Sequence, residues 1–210
     1  IHVGVVFMKI AVIAANGKAG KLITNEAVNR GLDVTAIVRS ENKTKADKVI
    51  QKDLFDLTKA DLASFDVIID AFGQPDQEKL DQHSKSLTFL SDLVSNTEQR
   101  LLIIGGAGSL FVDETHTMKL VEAPDFPEIY KNTALAQSKT LEEIKQRDDV
   151  LWTFISPAPD FQFEGERTGT YKTSDDEVIG TSVSYADYAI AMVDEAVEGN
   201  HIQKRFAVFS

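Results

Sequence analysis

The sequence predicts an α/β protein built as a doubly wound parallel sheet with helices on both faces. Three observations predict it. Strand-like and helix-like segments alternate along most of the 210 residues, a pattern that right-handed crossovers turn into a parallel sheet. The strands are near-continuous apolar runs, as expected where both faces are covered. The composition, 43% hydrophobic and 26% charged, is that of an ordinary globular domain long enough for one large core.

The first strand, Lys9–Ala15, is too uniformly apolar to be half exposed. The amphipathic helix Lys18–Arg30 follows, then strands Asp33–Val38 and Lys48–Gln51, a short helix near Lys59–Ala63 and strand Asp66–Ala71. Helix Gln77–Asn96, strand Arg100–Gly105, helix Thr133–Arg147 and strand Val150–Ser156 come next. Helix Tyr185–Glu198 and strand Arg205–Phe209 complete the series. Ser184, with Asp187 three residues on, forms a near capping box for the last helix. Two stretches break the alternation. These are Gly106–Ile129 and Pro157–Ser182, the second with short strand candidates at Thr170–Lys172 and Glu177–Ile179. Both follow carboxyl ends of strands, where open α/β sheets bind ligands. They are assigned to a small loop-rich substrate lobe, the alternative being two plain surface loops. Residues 8–210 are read as one domain. Residues 1–7 (IHVGVVF) are an N-terminal extension, open to disorder, without the charged start and long apolar core of a secretion signal.

The net charge of −11 argues against nucleic acid as principal partner. No apolar run approaches the ~20 residues that span a bilayer, and the cytoplasm is the expected compartment. The absence of cysteine excludes disulfides and thiol catalysis, and His2, His83, His116 and His201 have no metal-ligand spacing. No metal site is expected.

The chemistry begins at the turn Ala14-Ala15-Asn16-Gly17-Lys18-Ala19-Gly20. It brings backbone amides to a helix N-terminus, a natural phosphate site. Small side chains let a pyrophosphate approach, and Gly20 allows close packing of helix on strand. Ala14 stands where the first glycine of such a turn belongs, which is tolerable if its φ stays negative. Strand, turn and second strand agree with a dinucleotide site; a tight turn without a ligand is the alternative. Arg39 and Ser40 end the second strand, where an NAD reader places an acid. A guanidinium there matches a 2′-phosphate, so NADP(H) is expected over NAD(H). Asp53 is positioned to accept from an adenine amino group with Leu54 against the ring. Ala71, Phe72 and Gly73 end the fourth strand, where small residues would let the cofactor cross the sheet edge; a plain core aromatic is the equal alternative for Phe72. Gly105, Gly106 and Ala107, with Ser156 and Pro157, are read as walls of a nicotinamide pocket.

Taken together, KIAVIAANGKAG, TAIVRS, LLIIGGAGSL, EAPDFPEIYK, LWTFISPAPDF, GERTGTY and SVSYADYAIAMVDE resemble the atypical short-chain dehydrogenase/reductases. The resemblance is nearest to the small NmrA-like proteins known as NADH-flavin reductases or NAD(P)H-binding proteins, and runs from Met8 to the C-terminus. It implies a Rossmann-type core, bound NAD(P)H and hydride transfer to a flavin or another electron-accepting ring, the flavin being substrate and not a tightly held group. The Tyr-x-x-x-Lys pair usual in short-chain reductases is absent. Lys139, the candidate lysine, reaching toward the nicotinamide ribose, has Leu135 four before it, and Tyr130 is followed four on by Ala134. The serine position holds Gly106, with Ser109 further along. Ser109, Tyr130 and Lys139 are therefore weak catalytic candidates. The expected function is NAD(P)H-dependent reduction of a flavin or quinone-like small molecule without a protein general acid. The alternative is a non-catalytic NADP(H) sensor acting through a protein partner. A homodimer is compatible with either.

Overall fold

An eight-stranded sheet with strand order β3-β2-β1-β4-β5-β6-β10-β8 organises the protein. The computed structural model describes residues 7–210; the expected extension at residues 1–7 lies, apart from Phe7, outside them. The elements are β1 (Lys9–Ile13), α1 (Lys18–Asn29), β2 (Asp33–Val38), β3 (Lys48–Gln51), α2 (Lys59–Leu62), β4 (Val67–Asp70), α3 (Gln82–Leu93) and β5 (Arg100–Ile104). Then come α4 (Glu128–Ile144), β6 (Leu151–Pro157), β7 (Asp160–Gln162), β8 (Lys172–Ser174), β9 (Ser182–Ser184), α5 (Tyr185–Glu198) and β10 (Lys204–Phe209). Every pairing in the large sheet is parallel except β8 on β10. This is the expected Rossmann-type doubly wound architecture. The order reverses between β1 and β4, which is the switch point where such sheets hold ligands.

The apolar runs of β1, β2, β4, β5 and β6 are continuous because each of these strands feeds two cores. In β1, Ile10 and Val12 face one side, with Ile23 and Ala27 of α1 and Tyr188 and Met192 of α5. Ala11 and Ile13 face the other, with Leu87 and Leu90 of α3 and Leu141 and Ile144 of α4. Each fully buried isoleucine, leucine, valine or methionine contributes roughly 1.5–3 kcal/mol. The crevice walls therefore stand on packed helices. Among the described residues no helix is long and apolar enough to cross a membrane.

Several boundaries move for local reasons. Helix α3 starts at Gln82, not Gln77, because side chains in the preceding segment cap their own backbone: Gln74 Oε1 accepts from Asp76 N and Asp76 Oδ1 from Glu78 N. It ends before Asn96, which turns to φ +56°. Helix α4 starts five residues before Thr133, at Glu128, where Pro127 supplies a ready-made start. The anticipated capping box of α5 is half made. Ser184 accepts from Asp187 N, but the Asp187 carboxylate is taken by Thr168 N, Thr168 Oγ1 and Gly169 N. It ties the lobe to the helix instead. Within that lobe, β7 and β9 form a small parallel sheet that the sequence pattern does not announce. The strand expected at Thr170–Lys172 lies at Lys172–Ser174. The one expected at Glu177–Ile179 is reduced to a bridge between Glu177 and Phe111.

Candidate functional site

The turn after β1 shows how the site is made from backbone. Gly17 caps α1 without a side-chain hydrogen bond, so the first-turn amides are left facing outward for an acceptor. A Cβ at Gly20 would collide with the Ala14 carbonyl oxygen, so only glycine lets α1 lie this close to β1. At Gly17 an added Cβ would stand 3.3 Å from the same oxygen. One expectation is overturned: Ala14 takes φ +60°, not a negative value. The turn needs a left-handed residue there, and alanine pays the steric cost of roughly 1–2 kcal/mol. Asn16 has a structural task, donating from Nδ2 to the Glu41 carbonyl and accepting from Lys43 N at 2.8 and 2.7 Å. It binds the loop after β2 to the turn.

Above the turn lies a crevice of about 1120 Å³, beyond the ~300–1,000 Å³ of ordinary small-molecule pockets. It runs along the carboxyl ends of the central strands. Ala14, Asn16, Gly17, Lys18 and Ala19 line it, as do Arg39, Ser40, Asp53, Leu54, Ala71, Phe72, Gly73, Gly105, Gly106, Ala107 and Pro157. The crevice therefore brings together most of the residues selected from sequence. Asp53 also caps the turn Leu54–Asp56 by accepting from Phe55 N.

The charge lining the crevice opposes that of the whole chain. Lys18, Arg39, Lys52 and Lys79 line it against a single acid, Asp53, although the net charge is −11. Lys52 is partly neutralised by Asp61 at 2.8 Å. Arg39 has no ion-pair partner among the described residues. Such a local field favours a polyanion. Beneath the floor, the Asp70 carboxyl accepts from Phe72 N at 3.0 Å. Burial pushes its pKa up to about 6.

At the end of β5, Gly105 is demanded by its neighbour, and Gly106 leaves room for a movable one. A Cβ at Gly105 would meet the Phe154 ring, and one at Gly106 the Gln137 side chain. One wall of this end is polar. Gln137 and Thr133 face it from α4, Gln77 donates to Thr133 Oγ1 at 3.1 Å, and His83 Nε2 lies 3.2 Å from the Gln74 carbonyl. Burial lowers the His83 pKa, so it is neutral near pH 7. The other wall is aromatic. Phe161 stacks on Tyr185 with centroids 3.9 Å apart, and Phe163 meets the edge of Tyr185 while its own face carries Lys18 Nζ at 4.9 Å.

Five of the residues selected from sequence lie elsewhere. Lys139 is exposed and outside the lining: two residues beyond Gln137, it is turned about 200° round the helix. The positions that face the crevice at i, i+4 spacing are Thr133 and Gln137. Tyr130 is 62% exposed and off the crevice. Ser109 and Ser156 are buried beneath it, where Arg205 Nη1 donates to both hydroxyls at 2.8 and 3.3 Å. They hold a buried guanidinium and are not free for a substrate. Gly20 lies under the turn, as its packing role requires. In turn, Lys52, Lys79, Gln74, His83, Thr133, Gln137, Phe161 and Tyr185 line the crevice without having been selected for the site.

These features fit a dinucleotide: free amides at a helix start, a clash-limited glycine floor and a cationic lining. The model of a protein family described as NAD(P)H-binding matches residues 14–198. The chain is 46% identical to the uncharacterized protein YwnB of Bacillus subtilis, over 97% of this chain and 99% of the relative. Among solved structures, a candidate NADH-flavin reductase from Streptococcus pneumoniae superposes with TM-score 0.93 at 49% identity, covering 97% of this chain and 99% of that one. A candidate epimerase from Bacteroides thetaiotaomicron gives 0.82 at 32% identity, covering 96% of each chain. The chain therefore belongs to the NAD(P)H-binding family of Rossmann-type proteins.

Proposed function

We propose that the protein is an NAD(P)H-dependent oxidoreductase that passes reducing equivalents to a flavin or quinone-like small molecule. The observation that carries this reading is a single crevice that combines the open amides of α1 and the cations Lys18, Arg39, Lys52 and Lys79 with aromatic rings and uncharged polar groups around Gly105 and Gly106. The first-turn amides of α1 and Lys18 would hold the pyrophosphate, and Gly105–Ala107 and Pro157 would receive the nicotinamide. When bound, the cofactor supplies a hydride. Gly105 and Gly106 leave the floor open to a ring, and Phe161 and Tyr185 restrict water on one side; keeping two planar groups in register is the largest part of the task. The NADH-flavin reductase description of the pneumococcal neighbour agrees with this reading. A conjugated acceptor takes its proton from solvent, consistent with the absence of a tyrosine–lysine pair on α4. Arg39, which has no ion-pair partner among the described residues, and Ser40 beside it at the end of β2 support NADPH over NADH. We place the activity in the cytoplasm.

Thr133 and Gln137 in place of an ionisable pair also favour a second reading, a sensor that binds NADP(H) without turnover. Steady-state NADPH oxidation with FMN, FAD and a quinone, beside a cofactor-only titration, separates the two. Turnover with any of these acceptors is expected. Tight binding with no turnover for all three contradicts the oxidoreductase reading.

A further inference from the structure

The chain has four tyrosines, and three are accounted for. Tyr171 donates to Asp194 at 2.5 Å and Tyr188 to the Ile155 carbonyl at 2.6 Å; Tyr130 stands in solvent. Tyr185 is different. Its ring is half-buried, lines the crevice and is fixed by the Phe161 stack and the Phe163 edge at 3.9 and 5.4 Å. Its backbone is set by the N-cap at Ser184. Yet its hydroxyl finds no acceptor among the described residues. Nor is that oxygen sealed in the core, where the enclosed unpaired side-chain atoms are Ser91 Oγ, Arg100 Nε and Ser138 Oγ. A tyrosine with a packed ring and an open oxygen is suited to a polar contact across an apolar site. A phenol held this firmly also loses little entropy on gaining one. Burial raises its pKa, so it stays a protonated donor throughout the neutral range.

We propose that Tyr185 donates a hydrogen bond to an accepting oxygen of a ligand in the crevice and so positions that ligand over the β5–β6 end. This rests on the reading of the crevice as an NAD(P)H and acceptor site. The oxygen belongs either to the cofactor's ribose and phosphate or to a ring carbonyl of the acceptor.

Tyr185→Phe in the full chain keeps the aromatic stack and removes only the donor. The melting temperature should not change, because no internal hydrogen bond is lost. If the oxygen is the cofactor's, the calorimetric Kd for NADPH rises roughly three- to tenfold, the span of one neutral hydrogen bond. If it is the acceptor's, that Kd holds and KM for FMN rises by the same factor with kcat less affected. Changes below twofold in both arms, or a loss of affinity matched by a fall in melting temperature, overturn the assignment. Wild-type protein that binds and oxidises NADPH while Tyr185→Phe equals it refutes this role alone. Wild-type protein that binds no NADPH refutes the functional reading as well.

Discussion

The two ends of the crevice are built by opposite means. At α1 the fit is made of backbone: a glycine cap, open amides and a glycine that lets helix and strand touch. At the β5–β6 end it is made of side chains from distant segments, with Gln74 and His83, Thr133 and Gln137, and Phe161 and Tyr185 meeting around Gly105 and Gly106. In the proposed reading the backbone end would accept any group with phosphate geometry. The side-chain end, in the same reading, is where one acceptor would be told from another.

The largest expected effect tests the backbone end. Gly20→Ala forces a Cβ into the Ala14 carbonyl, and the helix must retreat. Overpacking of this kind costs typically about 1–3 kcal/mol, occasionally more, and the upper end is expected because the obstructing atom is backbone. Denaturant unfolding should show that loss together with loss of NADPH binding; an unaltered midpoint would mean the helix has room to spare.

A comparable effect is expected at the boundary between the two ends. Asp70 has its pKa raised to about 6 by burial, against about 3.9 in an unfolded chain. The folded protein holds that proton between pH 4 and 6 while the unfolded chain has lost it, so stability falls as pH rises through this window. Above pH 6 the penalty is complete, about 3 kcal/mol from roughly two pKa units. Asp70→Asn should therefore be more stable than wild type at pH 8, with the difference vanishing near pH 3.5. The amide oxygen that this substitution introduces can still accept from Phe72 N. Parallel stability curves for the two proteins across that range would show that Asp70 is not desolvated.

Arg39→Asp sharpens the contrast from the cofactor's side. It should weaken NADPH binding by roughly 1.5–3 kcal/mol, the worth of a charge-assisted contact, and leave NADH nearly unaffected. Equal losses for both would remove the 2′-phosphate role.

The smallest effect belongs to Ala14. At φ +60° an alanine carries about 1–2 kcal/mol of strain, and glycine adds back about 0.5–1 kcal/mol of unfolded-state entropy. Ala14→Gly should stabilise by a few tenths to about 1 kcal/mol without weakening NADPH binding. A destabilised variant would show that the Cβ makes contacts worth more than the strain.

The same contrast decides what could be read in advance. The parallel doubly wound sheet follows from alternation, and the turn and Arg39 are local, so apolar runs, glycine spacing and position after the second strand disclose them. The β7–β9 sheet is too short to leave a pattern. Gln137 was missed because helix phase, and not residue type, decides which positions face the crevice, and phase requires the tertiary packing of Leu141 and Ile144. Lys139 carried the right chemistry on the wrong face. Ser109 and Ser156 were misplaced for another reason: nothing near either serine indicates that Arg205, far along the chain, binds both. Tyr185 sits within SVSYADY, where an N-cap was visible but the free hydroxyl was not.

A dinucleotide site made of backbone at this turn is tested by calorimetric titration of NADPH into wild-type protein and Gly17→Val side by side. A valine at this cap keeps an allowed backbone, φ −67° and ψ 168°, but places its branches where the pyrophosphate would sit. The wild type is expected to bind one NADPH per chain, more tightly than NADH. The variant is expected to bind none while still melting cooperatively. Undiminished binding by Gly17→Val, or none by the wild type, would contradict a dinucleotide site at this turn.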